Sequence, residues 1–170
     1  TEAVRLFRRA ADLGYCRAQY GLGLCYATGV STHLPKDPVE ATRLYRLSAD
    51  QGHAEAQYNL GVCYEDGTGV PKDLVEAARL YKLSADQGNA FGQCHLGELY
   101  DWGDTVQGDA EEAARLYELS AIQGYARAQY NLALLYMRDD GVPNDPTEAA
   151  RLLTLVAAQG DAQAQRLLGS

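Results

Sequence analysis

The segment "DLVEAARLYKLSADQG", residues 73–88, occurs again 36 residues later with few changes as "DAEEAARLYELSAIQG", residues 109–124. Its central motif, Glu-Ala-x-Arg-Leu, begins at five glutamates: Glu2, Glu40, Glu76, Glu112 and Glu148. Glycines follow at the same spacing: Gly14, Gly52, Gly88, Gly124 and Gly160. Self-similarity at a fixed period is typical of proteins built from stacked structural units. The chain is therefore an array of repeats with a period of 36 to 38 residues.

Each period contains two segments with helical periodicity. The first, residues 73–87, places apolar or small side chains every three or four residues, and the second, residues 54–66, does the same. We name the first the E-helix, after EAARLY, and the second the Q-helix, after AQYNLG. The pattern predicts ten helices in five pairs, from an E-helix at Thr1 to a short Q-helix near Asp161.

A single pair of helices cannot bury its apolar face, whereas stacked pairs bury it between neighbours. We therefore predict an all-α fold, an α/α superhelical solenoid of about five helix-hairpin repeats in one domain over residues 1–170. The period sets the units: 1–15 (partial), 16–53, 54–89, 90–125, 126–161 and 162–170 (partial). Because solenoids need polar capping units and the last helix is short, we expect the chain to be part of a longer protein.

Four of the E-helices are preceded by an aspartate that is followed three residues later by a glutamate. The pairs are Asp37 and Glu40, Asp73 and Glu76, Asp109 and Glu112, and Asp145 and Glu148. This spacing predicts an acidic capping box, in which the aspartate accepts from a free backbone N–H and the glutamate reaches back to the N–H of the aspartate. The glycine after each E-helix predicts a left-handed helix stop.

With these elements in place, the segment "AEAQYNLGVCYEDGTGVPKDLVEAARLYKLSADQG", residues 54–88, resembles the Sel-one-like repeat (SLR), a relative of the tetratricopeptide repeat. The matching residues are Ala56, Leu60, Gly61, Tyr64, Gly67, Val70, Asp73, Ala77, Tyr81, Ala85 and Gly88. Ser84 stands where the family usually has alanine, Ala133 replaces a repeated glycine, and Phe7 and Leu153 replace a repeated tyrosine. The resemblance implies a right-handed superhelix, an adaptor role in multiprotein assemblies, and no catalytic residues.

Charge and composition narrow the classes of partner. The net charge of −8 disfavours nucleic acid and anionic membrane surfaces, and no apolar run approaches the roughly 20 residues that span a bilayer. There are four cysteines and no CxxC pair: Cys16, Cys25, Cys63 and Cys94. This spacing predicts small core side chains and no metal site, and it favours a reducing compartment such as the cytoplasm. We predict no cofactor, and a monomer that binds a protein or peptide.

Catalytic motifs are weak in this sequence. Cys94 and His95 are adjacent, but neighbours on a helix point about 100° apart, which disfavours a Cys/His nucleophile. The acidic segment "DWGDTVQGDAEE", residues 101–112, lacks the spacing of a calcium-binding loop.

By analogy with tetratricopeptide repeats, the Q-helices are expected to line a concave face and to bind a partner there. Positions on these helices that differ from copy to copy are not dictated by stacking, and they supply the candidate binding residues: Arg17, Tyr20, Glu55, Tyr58, Asn59, Phe91, His95, Arg127, Tyr130 and Asn131. Asn, Tyr and Arg offer hydrogen bonds and flat contact area. Alternatively, the tyrosines fill seams between helices and the asparagines are only solvated. Trp102 is either an exposed anchor or a cover for the core, and we favour the cover.

The sequence thus predicts a non-catalytic interaction scaffold, or adaptor, that holds a peptide or protein segment on its concave surface. Two alternatives stay open. One is a hydrolase with a site built in the groove, and the other is an architectural module that associates with itself.

Overall fold

The helices alternate between the two predicted types along the whole structure. The structure is a computed structural model that describes residues 2–29, 34–103, 106–138 and 142–169. Within these ranges there are ten α-helices and no β-strand: α1 (Glu2–Asp12), α2 (Cys16–Thr28), α3 (Pro38–Ala49), α4 (Ala54–Asp66), α5 (Leu74–Asp86), α6 (Ala90–Trp102), α7 (Ala110–Ala121), α8 (Ala126–Met137), α9 (Pro146–Ala158) and α10 (Ala162–Leu168). Odd-numbered helices are E-helices and even-numbered ones are Q-helices. The predicted all-α fold is confirmed.

The helices form two compact units, Thr1–Gln87 with α1 to α5 and Gly88–Ser170 with α6 to α10. In both units each of the Q-helices α2, α4, α6 and α8 packs most closely on the E-helix that follows it, which confirms the helix-hairpin repeat. Successive hairpins meet where α3 packs on α4 in the first unit and α7 on α8 in the second. The predicted left-handed stops are also confirmed, for example by a φ of 84° at Gly52.

A buried serine joins the two helices of a hairpin. Ser84 in α5 donates its hydroxyl to the backbone carbonyl of Ala54 at the start of α4, over 2.8 Å. Ser48 and Ser120 make the same bond in their own hairpins, over 2.8 and 2.7 Å. All three serines are fully buried, and each hydroxyl is satisfied by this bond. The replacement of the usual alanine by serine therefore has a structural reason.

A buried glutamine in the Q-helix connects one repeat to the next. Gln57 donates through Nε2 to the carbonyl of Ala49 at 3.3 Å, and its Oε1 accepts from Nε2 of Gln87 at 2.7 Å. Gln129 does the same in the second unit, with Gln159 as its donor at 3.0 Å. Because these amides are buried and have partners on both sides, a shift in the register of stacking would leave polar atoms unsatisfied.

The predicted capping box is half right. The side chain of Asp73 accepts from the backbone N–H groups of Val75 and Glu76 at 3.1 and 3.0 Å, and the other three aspartates also cap their helices. The glutamate half is wrong, because the N–H of Asp73 donates to the carbonyl of Tyr64 in the preceding Q-helix at 2.9 Å. Glu76 instead binds Arg79 through two contacts of 2.8 and 2.6 Å.

Candidate partner-binding face

Side chains spaced by four, three and four residues lie along one face of a helix. Two neighbouring Q-helices contribute such rows in each unit, and we call each set of rows a Q-face. The first-unit Q-face consists of Arg17, Gly21, Leu24 and Thr28 from α2, with Glu55, Asn59, Val62 and Asp66 from α4. The second-unit Q-face consists of Phe91, His95, Glu98 and Trp102 from α6, with Arg127, Asn131, Leu134 and Arg138 from α8 and the residue after it.

The first-unit Q-face is exposed at both ends and half-buried in its middle, at Gly21, Asn59 and Val62. Arg17 and Glu55 are exposed at the beginning of α2 and α4. Tyr20 is half-buried, with its ring centroid 4.9 Å from that of His53. Its hydroxyl accepts from Nδ2 of Asn59 at 3.4 Å, so that these two candidates link the neighbouring Q-helices.

The remaining aromatic candidates lie partly in seams between helices. Tyr58 is half-buried, with its ring centroid 5.9 Å from that of Tyr81. Tyr130 packs against the core of the second unit. Phe91 is 44% exposed and meets the ring of Tyr125 nearly edge-on, with the centroids 4.8 Å apart. Each of these rings therefore contributes to packing and also leaves part of its surface to solvent.

A buried carboxylate organises the second-unit Q-face. The side chain of Glu98 is only 4% exposed, and Arg127 contacts it through Nε to Oε1 at 2.6 Å and Nη2 to Oε2 at 2.9 Å. Asn131 donates through Nδ2 to Oε1 at 2.8 Å, and Nη1 of Arg127 lies 3.5 Å from Nε2 of His95. The structure thus brings together three of the predicted candidates around a residue that the sequence analysis missed.

Glu98 left a signal in the sequence that a position-by-position comparison of the repeats reveals. The same position of the other Q-helices holds Leu24, Val62 and Leu134. A charged residue in a column of apolar residues is rarely buried unless it has a partner. The arginine that pairs with it lies one repeat later, at a position that varies between the copies, so the sequence alone could not join the two.

A second buried acid lies one helical turn further along α6. The side chain of Asp101 is 10% exposed and accepts from Nη2 of Arg138 at 2.6 and 2.9 Å. The hydroxyl of the buried Tyr117 donates to it at 3.4 Å. This ion pair links the end of α6 to the end of α8.

Trp102 does not cover the core, and that expectation is wrong. Trp102 is 58% exposed, and it is the last residue of α6. Beside it lies a pocket of about 390 Å³ between the ends of α6 and α8. The pocket is lined by Trp102, Asn131, Leu134, Met137, Asp101 and Arg138.

The environment of Cys94 works against nucleophilic chemistry. The thiol is fully buried, and burial together with the nearby carboxylate of Glu98, 3.9 Å away, raises its pKa. The thiolate is the reactive form of cysteine, so such a shift suppresses reactivity. Nδ1 of His95 is 3.0 Å from the carbonyl of Phe91 rather than directed at the thiol. All four cysteines are free.

Two kinds of feature are absent from the described residues. No group of three or more His, Cys, Asp or Glu side chains in these ranges could hold a metal ion. In the same ranges, none of the helices has the length and apolar character needed to cross a membrane.

Comparison with known proteins places this geometry in a family. The Sel1 repeat model matches residues 1–15, 16–53, 54–89, 90–125 and 126–161. None of the curated proteins compared with the chain matches it. Proteins with Sel1 repeats are generally protein-interaction scaffolds, and they typically bind other proteins.

Several solved structures are similar to the chain. One is a protective antigen of uropathogenic Escherichia coli with an SLR fold, at 34% identity and a TM-score of 0.87, where the match covers 98% of this chain and 35% of that one. Another is a Sel1 repeat protein from Oxalobacter formigenes, at 33% identity and a TM-score of 0.87, covering 97% and 65%. A Pseudomonas aeruginosa immunity protein follows at 25% identity and a TM-score of 0.62, covering 95% and 59%.

This chain therefore spans less than two thirds of the length of each of these proteins. The high TM-scores over nearly all of its residues confirm the predicted solenoid fold class. Together with the repeat matches, they show that the chain belongs to the Sel1 repeat family, as its resemblance to the Sel-one-like repeat predicted.

Proposed function

We propose that the chain is a non-catalytic scaffold that binds a peptide or protein segment along its Q-faces. The observation that carries this proposal is a contrast between constant and variable positions. The serines and glutamines that fix the stacking repeat their bonds from copy to copy. The first Q-face position instead holds three different residue types on an exposed surface: Arg17 and Arg127, Glu55, and Phe91.

Variation at an exposed position does not disturb stacking. These side chains are therefore available to bind a partner. Their chemical types also fit this role, because arginine and aromatic side chains are enriched where proteins bind one another. The general scaffold role of the family supports the same reading.

The network around Glu98 supports binding by preorganisation. The guanidinium of Arg127 is held on two sides by a buried carboxylate, and the amide of Asn131 is held by the same group. Side chains that are already ordered lose less conformational entropy when a partner binds. Arg127 still exposes 49% of its side chain, so it can contact a partner without leaving Glu98.

The test uses peptides selected on the protein from a random display library. Affinities of the selected peptides are then measured for three Q-face variants, Arg17→Ser, Glu55→Ser and Phe91→Ser. Matched controls are Val39→Ser and Val75→Ser, which change E-helix side chains that are 64% and 73% exposed. We expect at least one Q-face variant to weaken binding about tenfold, and both controls to bind normally. Binding that depends on the E-helix residues and on none of the Q-face residues would contradict the proposal.

Light scattering without any peptide separates this function from the architectural alternative. A monomer is the predicted result. Assembly that grows with protein concentration and needs no foreign ligand would favour a module that associates with itself.

A further inference from the structure

The pocket beside Trp102 is an apolar feature of the second unit that the first unit does not share. Trp102 and Met137 are 58% and 48% exposed, and Leu134, which also lines the pocket, is half-buried. In the first unit, the residues at the positions of Trp102 are Thr28 and Asp66, which are polar. Stacking of the repeats therefore does not require large apolar side chains here. Exposed aromatic side chains beside a pocket are typical anchors for a partner.

The charge of the chain is concentrated in the unit that carries this pocket. Gly88–Ser170 contains twelve carboxylate side chains and five arginines, and it has no lysine. It therefore holds seven of the eight net negative charges of the chain. Two of the carboxylate residues, Asp139 and Asp140, directly follow Arg138 in the sequence, and Asp104 comes two residues after Trp102.

The excess of seven negative charges remains after the five arginines are counted, and four of these arginines are bound to carboxylates within the unit. The pairs are Arg115 with Glu112, Arg127 with Glu98, Arg138 with Asp101, and Arg151 with Glu148. An acidic excess of this size attracts cationic segments and repels anionic ones over about one Debye length, roughly 8 Å at physiological ionic strength. Charge complementarity therefore favours a basic partner over an acidic one.

We propose that the pocket formed by Trp102, Leu134 and Met137 anchors a basic segment of a partner protein, with one large apolar side chain inserted and Lys or Arg residues flanking it. Methionine adapts its shape to different apolar groups, and the indole face attracts a cation. The proposal rests on the Q-face binding function above and adds the chemistry of the partner.

The chain provides its own probe for this proposal, because Trp102 is its only tryptophan. Peptides are selected from a random display library on the wild-type chain, and their binding is followed by the emission of Trp102. We expect the selected peptides to be enriched in Lys and Arg around an apolar residue and to shift the emission to the blue. Their affinity should fall at least tenfold between 50 and 500 mM salt, on the order expected for exposed charges.

Variants then locate the site by calorimetry. Met137→Ala and Trp102→Ala should each weaken the selected peptides at least tenfold, while Val75→Ser should not. Because about half of each residue is exposed, thermal melting of the variants should stay close to that of the wild type, which separates lost binding from lost folding.

Different outcomes overturn different claims. Selected peptides that are acidic or neutral, or that are insensitive to Met137→Ala and Trp102→Ala, would overturn this inference. If the binding of such peptides still depends on Arg17, Glu55 or Phe91, the proposed Q-face function stands without the basic-segment inference. Failure to enrich any peptide would count against both.

Discussion

The ring of Tyr45 lies against Gly23 so closely that a Cβ atom at Gly23 would be 2.7 Å from Cε1 of the ring. Gly61 and Gly97 have the same relationship to Tyr81 and Tyr117 in the next two hairpins. The fourth hairpin departs from the pattern at both positions, with Ala133 and Leu153, both buried. The leucine is smaller than tyrosine and leaves room for the methyl group. Ala133 and Leu153, which both depart from the family pattern, therefore compensate for each other in packing.

Replacing Gly23 and Tyr45 by the alanine and leucine found in the fourth hairpin tests this compensation. Gly23→Ala should destabilise the protein by about 1–3 kcal/mol, because its methyl group overlaps the ring. Tyr45→Leu should also destabilise it, because a cavity is left. The double variant should be more stable than the sum of the two changes predicts, by at least about 1 kcal/mol. Urea unfolding followed by circular dichroism measures all three, and strictly additive effects would refute the compensation.

Removing Arg127 from the ion pair with Glu98 should reduce stability more than removing Glu98. Arg127→Ala leaves the carboxylate of Glu98 buried with only Asn131 as a strong donor, and it should cost about 2–4 kcal/mol. Glu98→Leu restores the apolar residue type found in the other repeats. It leaves a half-exposed Arg127 that water can solvate, so the cost should be within about 1 kcal/mol.

An exposed pair supplies the control for this comparison. Arg79 bonds to Glu76 with similar distances, but the side chain of Glu76 is 30% exposed, whereas that of Glu98 is 4% exposed. Arg79→Ala should therefore cost at most about 1 kcal/mol. Thermal and urea unfolding of the three variants gives the ranking. A loss in Arg127→Ala no larger than that in Arg79→Ala would show that burial of Glu98 does not matter.

The capping arrangement gives a third prediction. Asp73→Ala removes the acceptor for two backbone N–H groups at the start of α5 and should cost about 1 kcal/mol. Glu76→Ala removes only an exposed ion pair, because the N–H of Asp73 is already satisfied by Tyr64, and it should cost about 0.5 kcal/mol or less. Urea unfolding measures both losses in the free energy of unfolding. Equal losses would indicate that the side chain of Glu76 also caps the helix.

Periodicity predicted the helices and their pairing, because both follow from where apolar and small side chains recur along the chain. The spacing allowed two partners for Glu76 and could not decide between them, since a glutamate three residues after a cap can turn back to the cap or onward to Arg79. The decision depends on the carbonyl of Tyr64, which belongs to another helix. Residue type also could not identify the partner of Glu98, because its arginine comes from the next repeat.

Buried thiol and phenol groups predict how stability depends on pH. Burial is the main cause that raises the pKa of Cys94, Tyr45, Tyr81 and Tyr117 above the ordinary values of 9.0 for cysteine and 10.0 for tyrosine. The folded protein then keeps protons that the unfolded chain releases, so stability is fully present below the unfolded-state pKa and falls as pH rises past it.

The free energy of unfolding should therefore be unaffected by these groups up to about pH 9 and should decrease above it, more steeply beyond pH 10, where tyrosines of the unfolded chain ionise. Urea unfolding at intervals between pH 7 and 11 measures the slope. Cys94→Ala should flatten the curve between pH 9 and 10, and Tyr45→Phe should flatten it above pH 10. The matched control is Tyr15→Phe at a 64% exposed position, which should leave the slope as it is. An equal slope in all four proteins would mean that the buried groups do not cause the alkaline loss of stability.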